Sequence, residues 1–239
     1  MIKNQEYKNA ALAALKGHWT PAVIATIVYI LIALAISGPS SFMQPDTQAM
    51  LDNPGNPMAA FSGLWPVMCW SSLASLLLLM PIEIGFYYAF LLLFRNGDDR
   101  LTGNTFRHAF VPKYGRNILA MFLMGILVVI GCIFFLIPGI ILALCYALLP
   151  YVLKDNPELS AIQALKKTRQ MMKGHKFDYF WLCLSFIGWI ILGIFTLGIG
   201  YIWLVPYIQT TVAVFYEDVK NGTAGLPGDV PYVAAEKVE

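Results

Sequence analysis

The chain has 239 residues, 58% of them hydrophobic and only 13% charged, with a mean hydropathy of +0.65; a soluble domain carries about 25% charged residues. A soluble core of this size would lack the polar residues needed to cover its surface, so the composition points to lipid as the solvent. The net charge of +2 excludes the strongly basic balance of a nucleic-acid binder.

Residues 1–18 read as an amphipathic cytoplasmic helix. Tyr7, Ala11, Leu15 and Trp19 recur at four-residue spacing, and the segment ends in Lys16-Gly17-His18 directly before the first apolar run. A helix crosses the hydrocarbon core in roughly 20 predominantly apolar residues. Residues 19–37 supply the first such run. Ala35-Ile36-Ser37 resembles the small-residue site at which a signal peptide is cut, but the preceding segment and the apolar run are both long for one, so the run is read as a retained span. Residues 66–94 supply the second, interrupted only by Glu83, and 19–94 with its outer loop 38–64 forms the first expected transmembrane hairpin.

Residues 118–153 carry no charge and are too long for one span. Pro138-Gly139 divides them, which predicts a tight hairpin of two short helices. In the cytoplasmic segment 154–177, Asn156-Pro157-Glu158 has the form of a helix start. Ala161, Ile162, Leu165 and Met172 then fall on one face and Lys166, Lys167 and Lys173 on the other. Such a basic amphipathic helix is expected to lie in the membrane interface near anionic headgroups. It ends in Lys173-Gly174-His175, a second copy of the Lys16-Gly17-His18 motif. Residues 178–216 form the third hairpin, turning at Thr196-Leu197-Gly198-Ile199-Gly200. Phe106, Phe110 and Tyr114, in the basic loop 95–117, give a more degenerate copy of the interfacial segment.

The expected fold is therefore all-α: a polytopic six-helix transmembrane bundle of three hairpins, each preceded by a cytoplasmic interfacial helix. Orientation follows from Lys and Arg. Segments 1–18, 95–117, 154–177 and the tail 217–239 hold 3, 5, 6 and 2 basic residues, all 16 in the chain, and loop 38–64 holds none. Both termini are thus expected in the cytoplasm. Trp65, Trp70, Tyr201 and Trp203 are expected in the outer aromatic belt, and Trp19, Tyr114, Tyr151, Tyr179 and Trp181 in the inner one.

The runs Asn156-Pro157, Met172-Lys173-Gly174-His175-Lys176, Ser185-Phe186-Ile187-Gly188-Trp189 and Thr196-Leu197-Gly198-Ile199-Gly200, with Trp203, Pro206-Tyr207 and Phe215-Tyr216-Glu217-Asp218, resemble a bacterial family known as domain of unknown function 975. Ala14-Leu15-Lys16-Gly17-His18-Trp19 is similar to that family's opening motif. The resemblance implies a multi-pass protein of the bacterial inner membrane and carries over no activity, substrate or site residue.

Glu83 is the sharpest candidate site, in Met80-Pro81-Ile82-Glu83-Ile84-Gly85. A mid-span acid costs roughly 2.5–3.5 kcal/mol on insertion scales, so it belongs in a bundle interior or a wet cavity. Pro81 leaves the Leu77 carbonyl without its usual donor, and Gly85 permits close helix approach. The competing structural reading has Glu83 bonded to Tyr87, Tyr88, Ser72 or Ser75 for packing alone. His18, His108 and His175 fall at the cytoplasmic boundary, one in each proposed unit. Interfacial imidazoles beside lysines are commoner than a shared metal, and no metal or cofactor is expected. Cys69, Cys132, Cys145 and Cys183 sit in apolar runs as small hydrophobes.

The leading functional expectation is a non-enzymatic membrane module. Its basic cytoplasmic face would bind anionic lipid, a protein partner or a second copy of the chain. The alternative is a small transporter or lipid-translocating protein using Glu83. A cavity reaching Glu83 favours the alternative; a sealed bundle favours the module.

Overall fold

Backbone amides find no partners in hydrocarbon, so a chain this apolar crosses lipid as helices or as a closed barrel. The computed structural model is helical, and it describes residues 2–42, 47–52, 55–56, 58, 61, 64–110 and 113–222. Parts of the expected outer loop 38–64, and 223–239 of the expected tail, lie outside the described residues.

The elements are α1 (Ile2–Leu15), α2 (Trp19–Phe42), α3 (Thr47–Asp52), α4 (Trp65–Ala74), a π-helical turn (Ser75–Leu79) and α5 (Met80–Asn96). They continue as α6 (Leu101–Phe110), α7 (Tyr114–Phe134), α8 (Leu136–Tyr146), α9 (Leu149–Asp155), α10 (Ala161–Met171), α11 (Lys176–Leu184), α12 (Ile187–Phe195) and α13 (Tyr201–Asn221). Among the described residues there is no strand.

Among the described residues, five stretches are long and apolar enough to cross a membrane: Trp19–Ser37, Trp65–Asn96, Tyr114–Phe134, Leu136–Asp155 and Lys176–Phe195. The expected sixth, α13, is long enough at 21 residues. Gln209, Thr210, Thr211, Glu217, Asp218 and Lys220 dilute it, so five rather than six stand out by length and composition.

The helices pack tightly at one end and splay at the other. Ile84, Leu91, Leu148, Val152, Phe215 and Tyr216 form one core where α5, α9 and α13 meet, with Tyr7 and Ala11 of α1 closing it. Leu15, Ala22, Phe86, Phe90 and Leu101 form a second, between α2, α5 and α6. The opposite ends are bare: Phe134 is 72% exposed, Phe195 80% and Leu197 94%. Apolar surface of that extent belongs in lipid.

Several expectations need correction. The α1 stripe of Tyr7, Ala11 and Leu15 does not face the membrane interface; it is fully buried, and α1 packs against α13. Small neighbours at Ala10 and Ala14 let the two helices approach closely. The loop 95–117 holds α6, which folds back along α5. The second hairpin breaks at Phe135 (φ −162°, ψ 145°) rather than at Pro138-Gly139. Proline lacks an N–H and is tolerated in a first helical turn, where that N–H has no acceptor anyway, so Pro138 sits third in α8.

The helix after residue 156 starts at Ala161, because Ser160 and Gln163 form a reciprocal capping box. Ser160 Oγ accepts from the Gln163 amide at 3.3 Å, and Gln163 Oε1 accepts from the Ser160 amide at 2.8 Å. Asn156 instead closes α9, donating to the Val152 carbonyl at 2.9 Å. Ser160→Ala is expected to cost about 1 kcal/mol, read as a lower unfolding midpoint of the purified protein. On α10 the buried face is Ala161, Ala164, Leu165 and Thr168, set against α7 and α9, whereas Ile162 is 59% exposed.

Three short helices feed a span through a left-handed residue: Gly17 (φ 87°) from α1 to α2, Lys113 (φ 59°) from α6 to α7, and Gly174 (φ 94°) from α10 to α11. The two Lys-Gly-His motifs thus share a conformation, the glycine ending one helix so that the next can start. In the third hairpin the expected turn stands at 196–200, with Leu197 (φ 53°) and Gly198 (φ 87°) left-handed. The Thr196 hydroxyl donates to the Gly193 carbonyl at 2.8 Å and accepts from the Gly200 amide at 3.0 Å.

Candidate functional site

Pro81 sets the local geometry around Glu83. Ahead of it the helix widens into the π-helical turn, and the Met80 amide bonds back to the Ser75 carbonyl. With no N–H at Pro81, the Leu77 carbonyl is left over as expected, and the hydroxyl of Tyr114 donates to it from α7. Tyr114→Phe is expected to cost about 1 kcal/mol, measured as a fall in unfolding midpoint, since that hydrogen bond between α7 and the kink is then lost.

Glu83 is half-buried. The Tyr87 hydroxyl, one turn on, donates to its Oε1. Oε2 has no hydrogen-bond partner among the described residues. Gly85, two residues further, admits not a neighbouring span but α6: a Cβ placed there would lie 2.1 Å from the Thr105 carbonyl oxygen.

Beside Glu83 lies a cavity of about 430 Å³, within the range of small-molecule sites. Its walls come from α5 (Glu83, Tyr87), α7 (Met121, Met124), α8 (Ile140, Leu144), α9 (Pro150, Tyr151), α11 (Tyr179) and α13 (Ile208, Gln209). Glu83 is the one formally charged residue in the lining. The Tyr151 side chain is buried, and its hydroxyl has no hydrogen-bond partner. That hydroxyl is closed off by the packing around it and does not open onto the cavity; a buried hydroxyl without a partner costs roughly 1–3 kcal/mol in mutational terms.

The rings of Tyr87, Tyr151 and Tyr216 form a continuous stack, with centroids 6.3 Å and then 5.0 Å apart. The stack runs from the Glu83 carboxylate, bonded to Tyr87, to Asp155, which accepts from the Tyr216 hydroxyl at 2.8 Å. Asp155 is the hub of an ion cluster at the packed end. Arg95 Nη1 donates to Oδ1 at 2.8 Å and Nη2 to Oδ2 at 2.5 Å, while Arg95 Nε reaches Glu217 at 2.6 Å and Lys220 reaches Asp155 at 2.6 Å. Arg116 donates to the carbonyls of Leu153 (2.6 Å), Asn156 (3.0 Å), Pro157 (2.9 Å) and Leu159 (2.8 Å), satisfying the end of α9.

Tyr151 is not the interfacial anchor expected of it, since it is 1% exposed inside the bundle. Tyr179 likewise belongs to the cavity wall rather than to an aromatic belt alone. Neither Tyr151 nor Gln209 stands out in the sequence, because each joins Glu83 only through packing of distant spans. The one local hint at Tyr151 is its position a turn before Asp155, on the buried face of α9.

The Lys-Gly-His motifs lie elsewhere. Lys16 and Lys173 are exposed, and His18 and His175 are half-buried. His175 Nδ1 lies 3.7 Å from Asp178, and the His108 ring packs edge-on against Tyr88 at 5.0 Å. Burial, and then the charges of Lys154 and Arg107, hold the His108 imidazole below its ordinary pKa. Among the described residues no three His, Cys, Asp or Glu side chains gather as a metal site.

The family model described as "Protein of unknown function (DUF975)" matches residues 70–223. The chain belongs to that family. Every residue lining the cavity lies inside the matched region, whereas the first Lys-Gly-His motif of this DUF975 chain lies before it. No curated protein and no solved structure matches the chain.

Proposed function

We propose that this protein is a non-enzymatic membrane protein that binds a small solute inside its helix bundle at Glu83, as a small transporter does. The carrying observation is the cavity itself, where an acid with one carboxylate oxygen unpartnered among the described residues borders a space of ligand size. A kinked span with a polar residue at the kink is how transporters build such sites. The proposal takes α13 as a sixth span, giving three hairpins with both termini in the cytoplasm of a bacterial cell. Support for that orientation is that the ion cluster and the ends of α1 and α10 gather the basic residues at one end.

The test is chemical access. In a background with Cys69, Cys132, Cys145 and Cys183 replaced by alanine, Ala143→Cys on the cavity wall is expected to react with water-soluble methanethiosulfonates. Val129→Cys, on the exposed face of α7 six residues before the break at Phe135, serves as the control for the bilayer. Failure of Ala143→Cys to react from either side of the membrane ends the proposal. Glu83→Gln is expected to keep the fold within about 1 kcal/mol, because the amide oxygen still accepts from Tyr87. It is expected to slow the reaction of a cationic reagent at Ala143→Cys, whereas an equal rate with and without the carboxylate counts against a role for Glu83.

A second reading has its own observation. Lys166 on α10, and Lys16 and Lys173 just past the ends of α1 and α10, are exposed and make no ion pair among the described residues. They suit anionic lipid headgroups or an acidic protein partner at the cytoplasmic face. This reading is compatible with the first, since one describes where the protein sits and the other what it holds.

A further inference from the structure

Resting on the binding cavity proposed above, we infer that its ligand is a small organic cation, a solute carrying an ammonium group. Charge is the first ground. Glu83 is half-buried, and no Lys, Arg or His lines the cavity. An anionic solute would meet a carboxylate with no counter-charge in a medium of low dielectric, while a neutral one would leave that carboxylate unpaired. An ammonium resolves both, approaching the Oε2 that Tyr87 leaves free.

The rest of the wall fits the same chemistry. Tyr87 and Tyr179 contribute aromatic rings, Tyr151 being enclosed between Tyr87 and Tyr216, and aromatic rings with an acid are the groups that hold quaternary and protonated amines. The Gln209 amide carbonyl can accept N–H or O–H donors on the solute. Met121, Met124, Ile140 and Ile208 line the remainder with apolar atoms suited to methyl or methylene groups. At about 430 Å³ the space exceeds a single ion and admits a solute of choline or short diamine size.

The experiment uses the full chain in lipid nanodiscs and measures binding by calorimetry. Choline, tetraethylammonium and putrescine are compared with 3,3-dimethylbutan-1-ol, the uncharged counterpart of choline. At least one cation is expected to bind, and choline at least tenfold more tightly than the alcohol. Glu83→Gln is expected to abolish that preference while its unfolding midpoint stays near that of the parent. Gln209→Leu is expected to weaken binding a few-fold. Equal binding of choline and the alcohol, or choline binding that survives Glu83→Gln, overturns the cation inference and leaves the cavity as a site for uncharged solutes. No binding of any cation, with Ala143→Cys still reactive, also overturns it without touching the cavity. An unreactive Ala143→Cys removes the cavity reading itself, so the two failures are told apart.

Discussion

Asp155→Ala is expected to destabilise the folded protein by about 3–5 kcal/mol, the range for removing one partner of a buried ion pair. The Asp155 side chain is only 6% exposed, and it receives two hydrogen bonds from Arg95, one from Lys220 and one from Tyr216. Those donors come from α5 and α13, so a single carboxylate at the end of α9 joins three elements of the packed end. Its loss leaves the Arg95 guanidinium, itself 23% exposed, with Glu217 alone and strips the Tyr216 hydroxyl of its acceptor. Lys220 is 41% exposed, and Lys220→Ala is expected to cost under about 1 kcal/mol. Unfolding of both variants in one detergent checks the ranking. Equal losses would show that the cluster is held by surface attraction rather than by the buried fork of Arg95 and Asp155.

The lipid-facing side of this fold was legible in the sequence because length and charge act locally. The charge-free run 118–153 was too long for one span, and it supplies two of the stretches long and apolar enough to cross a membrane. The same locality explains why Glu83 could be singled out and the Leu77 carbonyl named as lacking a donor. The donor itself, Tyr114, was not foreseeable, since it lies 37 residues away. Errors arose where two local signals competed. Asn156-Pro157-Glu158 and Ser160 to Gln163 both have the form of a helix start, and the reciprocal pair won because it satisfies two backbone amides at once. Pro138-Gly139 reads as a turn, yet Phe135 took the extended conformation so that Pro138 could sit in a first turn. The face of α6 was misread, because its exposed positions include Phe106 and Phe110 whereas its buried ones, Leu101, Asn104, Thr105 and Ala109, include two polar residues. The cavity was the least legible feature. Tyr151, Tyr179 and Gln209 come from three different spans, and only their packing against α5 makes a site of one acid.

Gly85→Ala is expected to destabilise the protein by about 3 kcal/mol, the upper end of ordinary overpacking. A Cβ at Gly85 would stand 2.1 Å from the Thr105 carbonyl oxygen, 2.8 Å from the Ala109 amide nitrogen and 3.1 Å from the Ala109 Cα. All three are backbone atoms, so no side-chain rotation relieves the contact and α6 itself must move away from α5. That movement uncovers Leu101 and Ala109, both fully buried, and loosens the packing of Phe86 and Phe90 beneath them. Gly103 provides the control within the same helix pair, because a Cβ there meets nothing within 4 Å. In the first turn of α6, Gly103→Ala is expected to be neutral or to stabilise by up to about 0.5–1 kcal/mol, through the lower backbone entropy of alanine. The same methyl group is thus expected to act with opposite sign at two glycines of one helical hairpin. Unfolding midpoints of the two variants decide it, and a Gly85→Ala protein as stable as the parent would mean that α6 does not lie against α5 in the membrane-bound protein. Because Glu83 sits half a turn from Gly85, the displacement is also expected to change the rate at which Ala143→Cys reacts, which ties the seating of α6 to the shape of the cavity.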